Sequence, residues 1–291
     1  MNQLLNALFR IVLGSSLSVV LGGEVQGQSY GPKAYEVYAL RYGQTMGKDP
    51  LHYVAMNAPD SLLFEPAFMF WLIKHTTGII LVDTGFVNDD ESFKTRYNLK
   101  TYVRPDELLQ QIGISPEDIT DIIITHPHRD HIDGVDLFPK AQIWIQKEDY
   151  NFFVGDAWKM DQADHGYMKR DVLKLLQANF EKRLNLVNGD KEIIPGIRVL
   201  TGSKHTFNSQ YVVVRTSSDN IILASDNAYS YYNIENSVSA PPYATMDTIG
   251  YVTQLKKMKS LVNDIQNIIP GHDGLVFSRF KKVADGIVRI Y

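Results

Sequence analysis

The 291-residue sequence contains no cysteine. That excludes disulfide frameworks, thiolate zinc sites, iron–sulfur clusters, cysteine nucleophiles and lipoprotein anchoring. Any strongly held metal must therefore be bound through histidine nitrogen and carboxylate oxygen. Positive charge is also scarce: Lys+Arg 29 against Asp+Glu 33 gives a net charge of −4. No basic surplus is left to neutralise phosphates, so nucleic acid is not an expected partner. The apolar stretch Ile11–Leu21 is too short for a stable membrane span. A GxSxG nucleophile elbow is missing, and no Gly/Ser-rich or Pro-rich linker divides the chain. What remains, with 44% hydrophobic residues, 20 Gly and 12 Pro, is the composition of an ordinary globular chain able to bury a full core.

The first residues read as an address. Arg10 is the lone charge ahead of Ile11–Leu21, small residues follow, and Val25-Gln26-Gly27 is a loose small-x-small cleavage pattern. This predicts a secretory signal over residues 1–28 and a single domain over 29–291. The destination is then periplasmic or secreted if the signal is cleaved, and cytoplasmic otherwise. A buried amphipathic helix is the alternative reading of the same segment. No stable membrane anchor is expected. Apolar and aromatic residues near the N-terminus offer a surface for a homodimer, although nothing demands one.

Alternation and apolar runs predict strands at Tyr35–Arg41 and Phe68–Lys74, with Thr76-Thr77-Gly78 turning into the run that ends at Asp83, a buried hairpin. A short helix is expected from Pro105 up to Gly113, opened by the proline and stopped by the glycine. Strands follow at Ile122–Thr125 and Gln142–Gln146, and an amphipathic helix from Tyr167 to Leu184. The second half repeats the rhythm, with strands at Arg198–Thr201, Tyr211–Arg215 and Ile221–Ala224, a helix from about Asp247 to Val262, and a strand from Ile268 running out into a loop. Two runs of strands, each closed by helices, predict an α/β fold of two sheets packed face to face, a four-layered α/β/β/α sandwich.

The densest chemical signal is His126-Pro127-His128-Arg129-Asp130-His131, three of eight histidines and a carboxylate in six residues directly after a strand. Pro127 pushes His126 out of the helical region, so His126 and His128 leave an extended segment on one side and can reach one ion. Asp130 and His131 are adjacent and diverge, which points to a second ion beside the first. Gly134 permits a tight departure. A lone histidine is usually a hydrogen-bonded core residue; this cluster is not of that kind. His52, His75 and His165 have no comparable context and are assigned surface or core roles.

With Asp83-Thr84-Gly85 after the earlier strand and isolated His, Asp and His residues at later strand ends, this HxHxDH segment resembles the metallo-β-lactamase superfamily from about Tyr35 to Asp273. The resemblance implies His126, His128 and His205 on one metal, Asp130, His131 and His272 on the other, and Asp226 bridging both. It departs from the family at Gly202-Ser-Lys-His-Thr-Phe-Asn, where Pro-Gly-His-Thr-Pro-Gly is usual. Asp83 is read as a turn or supporting carboxylate rather than a ligand. Two divalent ions are implied, zinc by default, although the same donors suit iron, cobalt or manganese. Hydrolysis by a hydroxide activated between two metals is the implied chemistry.

Within the superfamily, Tyr229, three residues after Asp226, is similar to the tyrosine that N-acyl homoserine lactonases place against the lactone carbonyl. A packing role for Tyr229 is the alternative in this tyrosine-rich stretch. The resemblance thus implies a small-molecule lactone or ester as partner, with Tyr229 stabilising the oxyanion and Asp130 passing a proton to the departing alkoxide. A glyoxalase II-like thioesterase, other esterases or phosphoesterases, and a mononuclear iron dioxygenase remain alternatives on the same motif. Phe152, Phe153, Trp158 and Tyr243 offer an acyl groove or, as the plainer reading, core packing.

Overall fold

The computed structural model describes residues 35–89, 97–160 and 166–291. The expected signal segment 1–28 and His165 lie outside the described residues. In chain order the strands are β1 (Glu36–Thr45), β2 (Asp49–Pro50), β3 (Leu63–Phe64), β4 (Ala67–His75), β5 (Gly78–Val82), β6 (Leu99–Tyr102), β7 (Asp121–Ile123) and β8 (Gln142–Gln146). They continue as β9 (Leu184–Val187), β10 (Lys191–Ile194), β11 (Ile197–Thr201), β12 (Gln210–Arg215), β13 (Asn220–Ser225), β14 (Ile268–Pro270), β15 (Lys281–Ala284) and β16 (Ile287–Arg289). Among the described residues they form a nine-stranded sheet of order β15-β16-β1-β4-β5-β7-β8-β9, with β6 also on β1, and a five-stranded sheet β10-β11-β12-β13-β14. β2 and β3 pair separately.

The layering follows from the two-residue period of strands. On β1, Val37 and Ala39 join Trp71 and Val82 against Val199, Tyr211 and Leu223 of the second sheet, forming the core between the sheets. The alternate residues Tyr38 and Leu40, with Leu72 and Leu81, face the opposite way. They pack on Leu108 and Leu109 of the helix Pro105–Gln110, Phe153 of Lys147–Val154, and Leu175 of Lys169–Phe180. On the far side Tyr251, Leu255 and Met258 of the helix Thr248–Ser260 cover the second sheet. Because β4 is buried on both faces, Ala67–Ile73 reads as an uninterrupted apolar run.

The hairpin expected around Thr76-Thr77-Gly78 is present, with His75 paired to Gly78. Two expectations need correction. The helix Lys169–Phe180 stops short of Leu184, because Lys182 turns the chain at φ 61° and Leu184 opens β9 beside β8. The sheets are also not divided between the halves of the chain: β9 closes one edge of the first sheet, and β15–β16 returns to its other side, Tyr38 opposite Arg289.

Candidate metal centre

Five strands deliver the predicted site residues from their C-terminal ends, the end at which open α/β sheets bind ligands. β5 leads into Asp83, β7 through Ile124-Thr125 into the histidine motif, β11 into the loop holding His205, β13 into Asp226 and β14 into His272. Two parallel pairs, β5 with β7 and β13 with β14, bring four of these ends side by side. The approach is close enough to require glycine at two positions. A Cβ on Gly271 would lie 2.7 Å from the Ser225 carbonyl carbon, and one on Gly134 would lie 2.4 Å from the Thr84 carbonyl oxygen. Gly134 is therefore explained by backbone contact, rather than by the tight departure that the sequence suggests.

The seven residues converge as two groups, His126, His128, His205 and Asp226, and Asp130, His131 and His272, in each of which potential ligand atoms lie within 4.8 Å of one another. Asp226 faces both. Its Oδ2 is 3.2 Å from His205 Nε2 and 3.8 Å from His126 Nε2, and its Oδ1 is 2.9 Å from His272 Nε2 and 3.4 Å from His131 Nε2. Asp130 and His131 do not diverge as their adjacency suggests. They occupy one helical turn, Arg129–Ile132, and the long imidazole returns to 3.5 Å from Asp130 Oδ2.

Hydrogen bonds behind the imidazoles decide which nitrogen faces inward. The Nδ1 atoms of His205 and His272 meet the carbonyl oxygens of Ala244 at 2.8 Å and Ala67 at 3.2 Å, and so carry hydrogen. His131 Nδ1 donates to Asp83 Oδ2 at 2.8 Å. Thr125 Oγ1 gives its one proton to Asp83 Oδ2 at 2.8 Å and accepts from His126 Nδ1 at 3.0 Å. Four Nε2 lone pairs are thereby aimed into the cluster. His128 is reversed, with Nδ1 2.9 Å from His205 Nε2.

Lone pair facing lone pair at 3.2 Å, as in His126 and His205, calls for a cation or proton between them. The buried His131 Nε2 and Asp226 Oδ1 also lack hydrogen-bond partners. This donor chemistry fits divalent ions. The electrostatics agree. Burial, with the neighbouring imidazoles, holds His126 well below the usual histidine range and His128 down to about 3. Against the same burial penalty, Asp130, Asp226 and Asp83 raise His131, and Asp226 raises His272. Burial would also raise the Asp226 carboxyl, but His272 and His131 outweigh it and hold that carboxyl well below its usual range. The carboxylates thus draw positive charge into the second group.

Residues 69–272 match the sequence profile described as the metallo-beta-lactamase superfamily. The chain belongs to that superfamily. An N-acyl homoserine lactonase of Bacillus sp. is 29% identical over 244 residues, covering 78% of this chain and 90% of that protein. Among solved structures, an N-acyl homoserine lactone hydrolase with the product N-hexanoyl-L-homoserine bound at its catalytic metal centre superposes with a TM-score of 0.65 at 23% identity, covering 86% of this chain and 97% of that one. AidC, a dizinc quorum-quenching lactonase in complex with a product, gives 0.63 at 18% identity, covering 89% and 95%. The two layered sheets are thus those of the metallo-β-lactamase fold.

In this member of the superfamily the supporting residues come partly from positions without a sequence signal. Thr125 and Ser225 are buried, with hydroxyls 2.9 Å apart between Asp83 and the histidines. Asp83, read from the sequence as a supporting carboxylate, has that role. Asp149 was not singled out. Its buried carboxylate accepts from Thr206 Oγ1 at 2.6 Å and Asn208 N at 3.2 Å, tying down the loop that carries His205. Of the other histidines, His52 meets Asp60 at 3.1 Å and His75 sits at the β4–β5 turn.

Burial pushes the Asp149 carboxyl up to about 6. The folded state therefore holds this proton more tightly than the unfolded chain, and stability falls as pH rises from about 4 through about 6, by on the order of 2–3 kcal/mol. Asp149→Asn should remove that component. The difference in melting temperature between wild type and variant, measured at pH 5 and pH 7.5, should shift in the variant's favour at the higher pH; an unchanged difference would contradict the assignment.

A cavity of about 670 Å³ opens over the cluster, with Asp130, Tyr229 and His272 among its lining. Of the aromatics offered as an acyl groove, Tyr243 lines it, whereas Phe153 is buried in the helix–sheet core and Phe152 stacks on Phe207 at 4.7 Å.

Proposed function

We propose that the protein opens the ring of an N-acyl homoserine lactone at a centre of two divalent ions, zinc by its nitrogen and oxygen donors. The observation that carries this reading is Asp226 set between two imidazole groups, with the Tyr229 hydroxyl 3.1 Å from His205 Nδ1. His126, His128 and His205 would hold one ion, Asp130, His131 and His272 the other, and Asp226 would touch both. Bound there, the ions lower the pKa of a coordinated water towards about 7 and polarise a carbonyl oxygen.

The chain's own groups supply the rest. Because His205 Nδ1 donates its proton to the Ala244 carbonyl, the Tyr229 hydroxyl lies between that nitrogen, at 3.1 Å, and the Asp226 carboxylate, to which its hydrogen is donated until a substrate oxygen in the cavity offers another acceptor. Burial, with Asp226 nearby, raises the phenol well above its usual range, so it stays a donor at working pH. A lactone carbonyl oxygen developing negative charge is the matching acceptor. Asp130 Oδ2, at the same cavity and held ionised by His131 and His272 despite its burial, is placed to take a proton and hand it to the departing alkoxide. Phe68, Tyr97, Met160 and Met246 give the cavity an apolar side suited to an acyl chain. The lactonase relatives act on that substrate class.

Metal-loaded protein should turn over acyl homoserine lactones faster than simple lactones, thioesters, phosphoesters or β-lactams, with about two metal equivalents per chain by elemental analysis. Faster thioester cleavage, or a single redox-active iron with oxygen uptake, would overturn the reading. Tyr229→Phe should lower kcat on acyl lactones about a hundredfold at unchanged metal content. An unchanged kcat would remove the tyrosine from the reaction.

A further inference from the structure

The helical turn Arg129–Ile132, which carries Asp130 and His131, is only four residues long. A helix leaves its last carbonyls without intrahelical partners, and in so short a turn these include the carbonyls of both ligand residues. The Asp133 amide closes on Arg129 O, and the Gly134 amide, which would close on Asp130 O in a longer helix, donates instead to Gly85 O at 2.9 Å. Donors from elsewhere in the fold take the two carbonyls left over. His131 O accepts from Thr84 N at 2.7 Å and from Thr84 Oγ1 at 3.0 Å. Asp130 O accepts from the Tyr42 hydroxyl at 2.7 Å, the usual length for a hydroxyl donor.

Tyr42 reaches that carbonyl from β1, 88 residues earlier in the chain. There Arg41 lies opposite Met69 and Gly43 opposite Phe68, so Tyr42 is the unpaired residue of a β-bulge. Bulges re-aim side chains beside active sites. The ring is 1% exposed, edge-on to Phe86 at 5.2 Å and tilted against Phe68 and Phe70 at 6.1 and 6.2 Å. Gly85 makes room for it: a Cβ there would lie 2.9 Å from Tyr42 Cε1. Tyr42 does not line the cavity over the metal centre. It can bear on the reaction only through the turn it holds.

The Asp130 carbonyl belongs to the peptide unit that joins Asp130 to His131. Rotating that unit changes ψ of one ligand residue and φ of the other, so whatever fixes the carbonyl fixes both side chains relative to each other. We propose that Tyr42 is a positioning residue for lactone hydrolysis, its hydroxyl fixing the Asp130 carbonyl so that the Asp130 carboxylate and the His131 imidazole are aimed at the second group of donors. This role rests on the two-ion reading given above. Loss of the Thr84 hydroxyl would leave His131 O its bond from Thr84 N, whereas loss of the Tyr42 hydroxyl takes from Asp130 O the donor that the fold supplies. A buried carbonyl without a donor is costly, and rotation of this peptide is the turn's means of relief.

The test is zinc titration of the full chain in competition with a chelator, which gives a stepwise constant for each ion without turnover. Tyr42→Phe keeps the ring among its phenylalanine neighbours and should fold, melting about 2–12 °C lower for the unsatisfied carbonyl. One zinc constant should weaken about tenfold, the lower end of the range for lost support behind a ligand, and the other should stay within about twofold. At saturating zinc, kcat on acyl lactones should fall about tenfold with KM within about twofold, because Tyr42 does not touch the substrate cavity. Phe70→Leu trims the packing beside the same ring and keeps the hydroxyl. It should lower the melting temperature while leaving both zinc constants and kcat within about twofold. Tyr42→Phe with wild-type constants and kcat, or Phe70→Leu changing them as much, would overturn the role and reduce Tyr42 to a core residue. A wild-type chain that binds a single ion overturns the two-ion reading instead, and Tyr42 is then judged by whether Tyr42→Phe holds that ion about tenfold more weakly.

Discussion

Asp226→Asn is expected to yield folded protein that retains at most one divalent ion per chain and hydrolyses acyl lactones at least about a thousandfold more slowly. Asp226 faces both donor groups, Oδ1 toward His272 and His131 and Oδ2 toward His205 and His126. An amide keeps the shape but makes one of those atoms an NH2, whose hydrogens point at imidazole lone pairs and occupy the place a cation would take. The other oxygen loses its full charge, so the second group is weakened too. Stabilisation by a cation at a reacting oxygen is worth several kcal/mol, and each 1.4 kcal/mol is a factor of ten in rate, which sets the thousandfold scale. Elemental analysis alongside turnover checks it. Two ions per chain with more than a tenth of the wild-type rate would mean that Asp226 does not join the two groups.

The part of this site legible in the sequence is the part that is local. His126, His128, Asp130 and His131 lie within one strand end and one helical turn, so their spacing alone brings them together. The β4–β5 hairpin is legible for the same reason, its turn residues lying between two apolar runs. His205, Asp226 and His272 carry no such signal of their own, and only resemblance to a family picks them out. The supporting hydroxyls fare worse. Thr125 and Ser225 are 100 residues apart and meet because β7 and β13 belong to different sheets that end at the same edge. The pairing of Tyr38 with Arg289 is carried by backbone hydrogen bonds, to which side-chain pattern is indifferent. Leu184 prolonged the leucine spacing of the preceding helix, and periodicity cannot separate that from the first residue of a strand.

Asp83 is where fold and chemistry are hardest to separate, and its replacement should show both. The residue is fully buried at φ 63°, with no water to compensate for what it loses. Its Oδ1 accepts from Thr125 N at 2.8 Å, and its Oδ2 accepts from Thr125 Oγ1 and His131 Nδ1, each at 2.8 Å. Asp83→Ala removes both acceptor oxygens, and with them these three hydrogen bonds, and places a side chain less tolerant of left-handed backbone there. Breaking a buried charged pair of this kind costs about 3–5 kcal/mol, a fall in melting temperature of about 6–20 °C for a domain of this size. Asp83→Asn separates the two roles. Asparagine accepts the backbone conformation and can still take the Thr125 N–H, but its NH2 opposes the hydrogen on His131 Nδ1. The expected result is a smaller fall in melting temperature combined with metal affinity at the second group weakened about 10–100-fold, the scale found when the partner of a ligating histidine is lost. Differential scanning calorimetry and metal titration by competition with a chelator read the two effects independently. If Asp83→Asn binds metal as tightly as wild type, Asp83 serves the fold alone, and the orientation of His131 is set by the backbone of its helical turn.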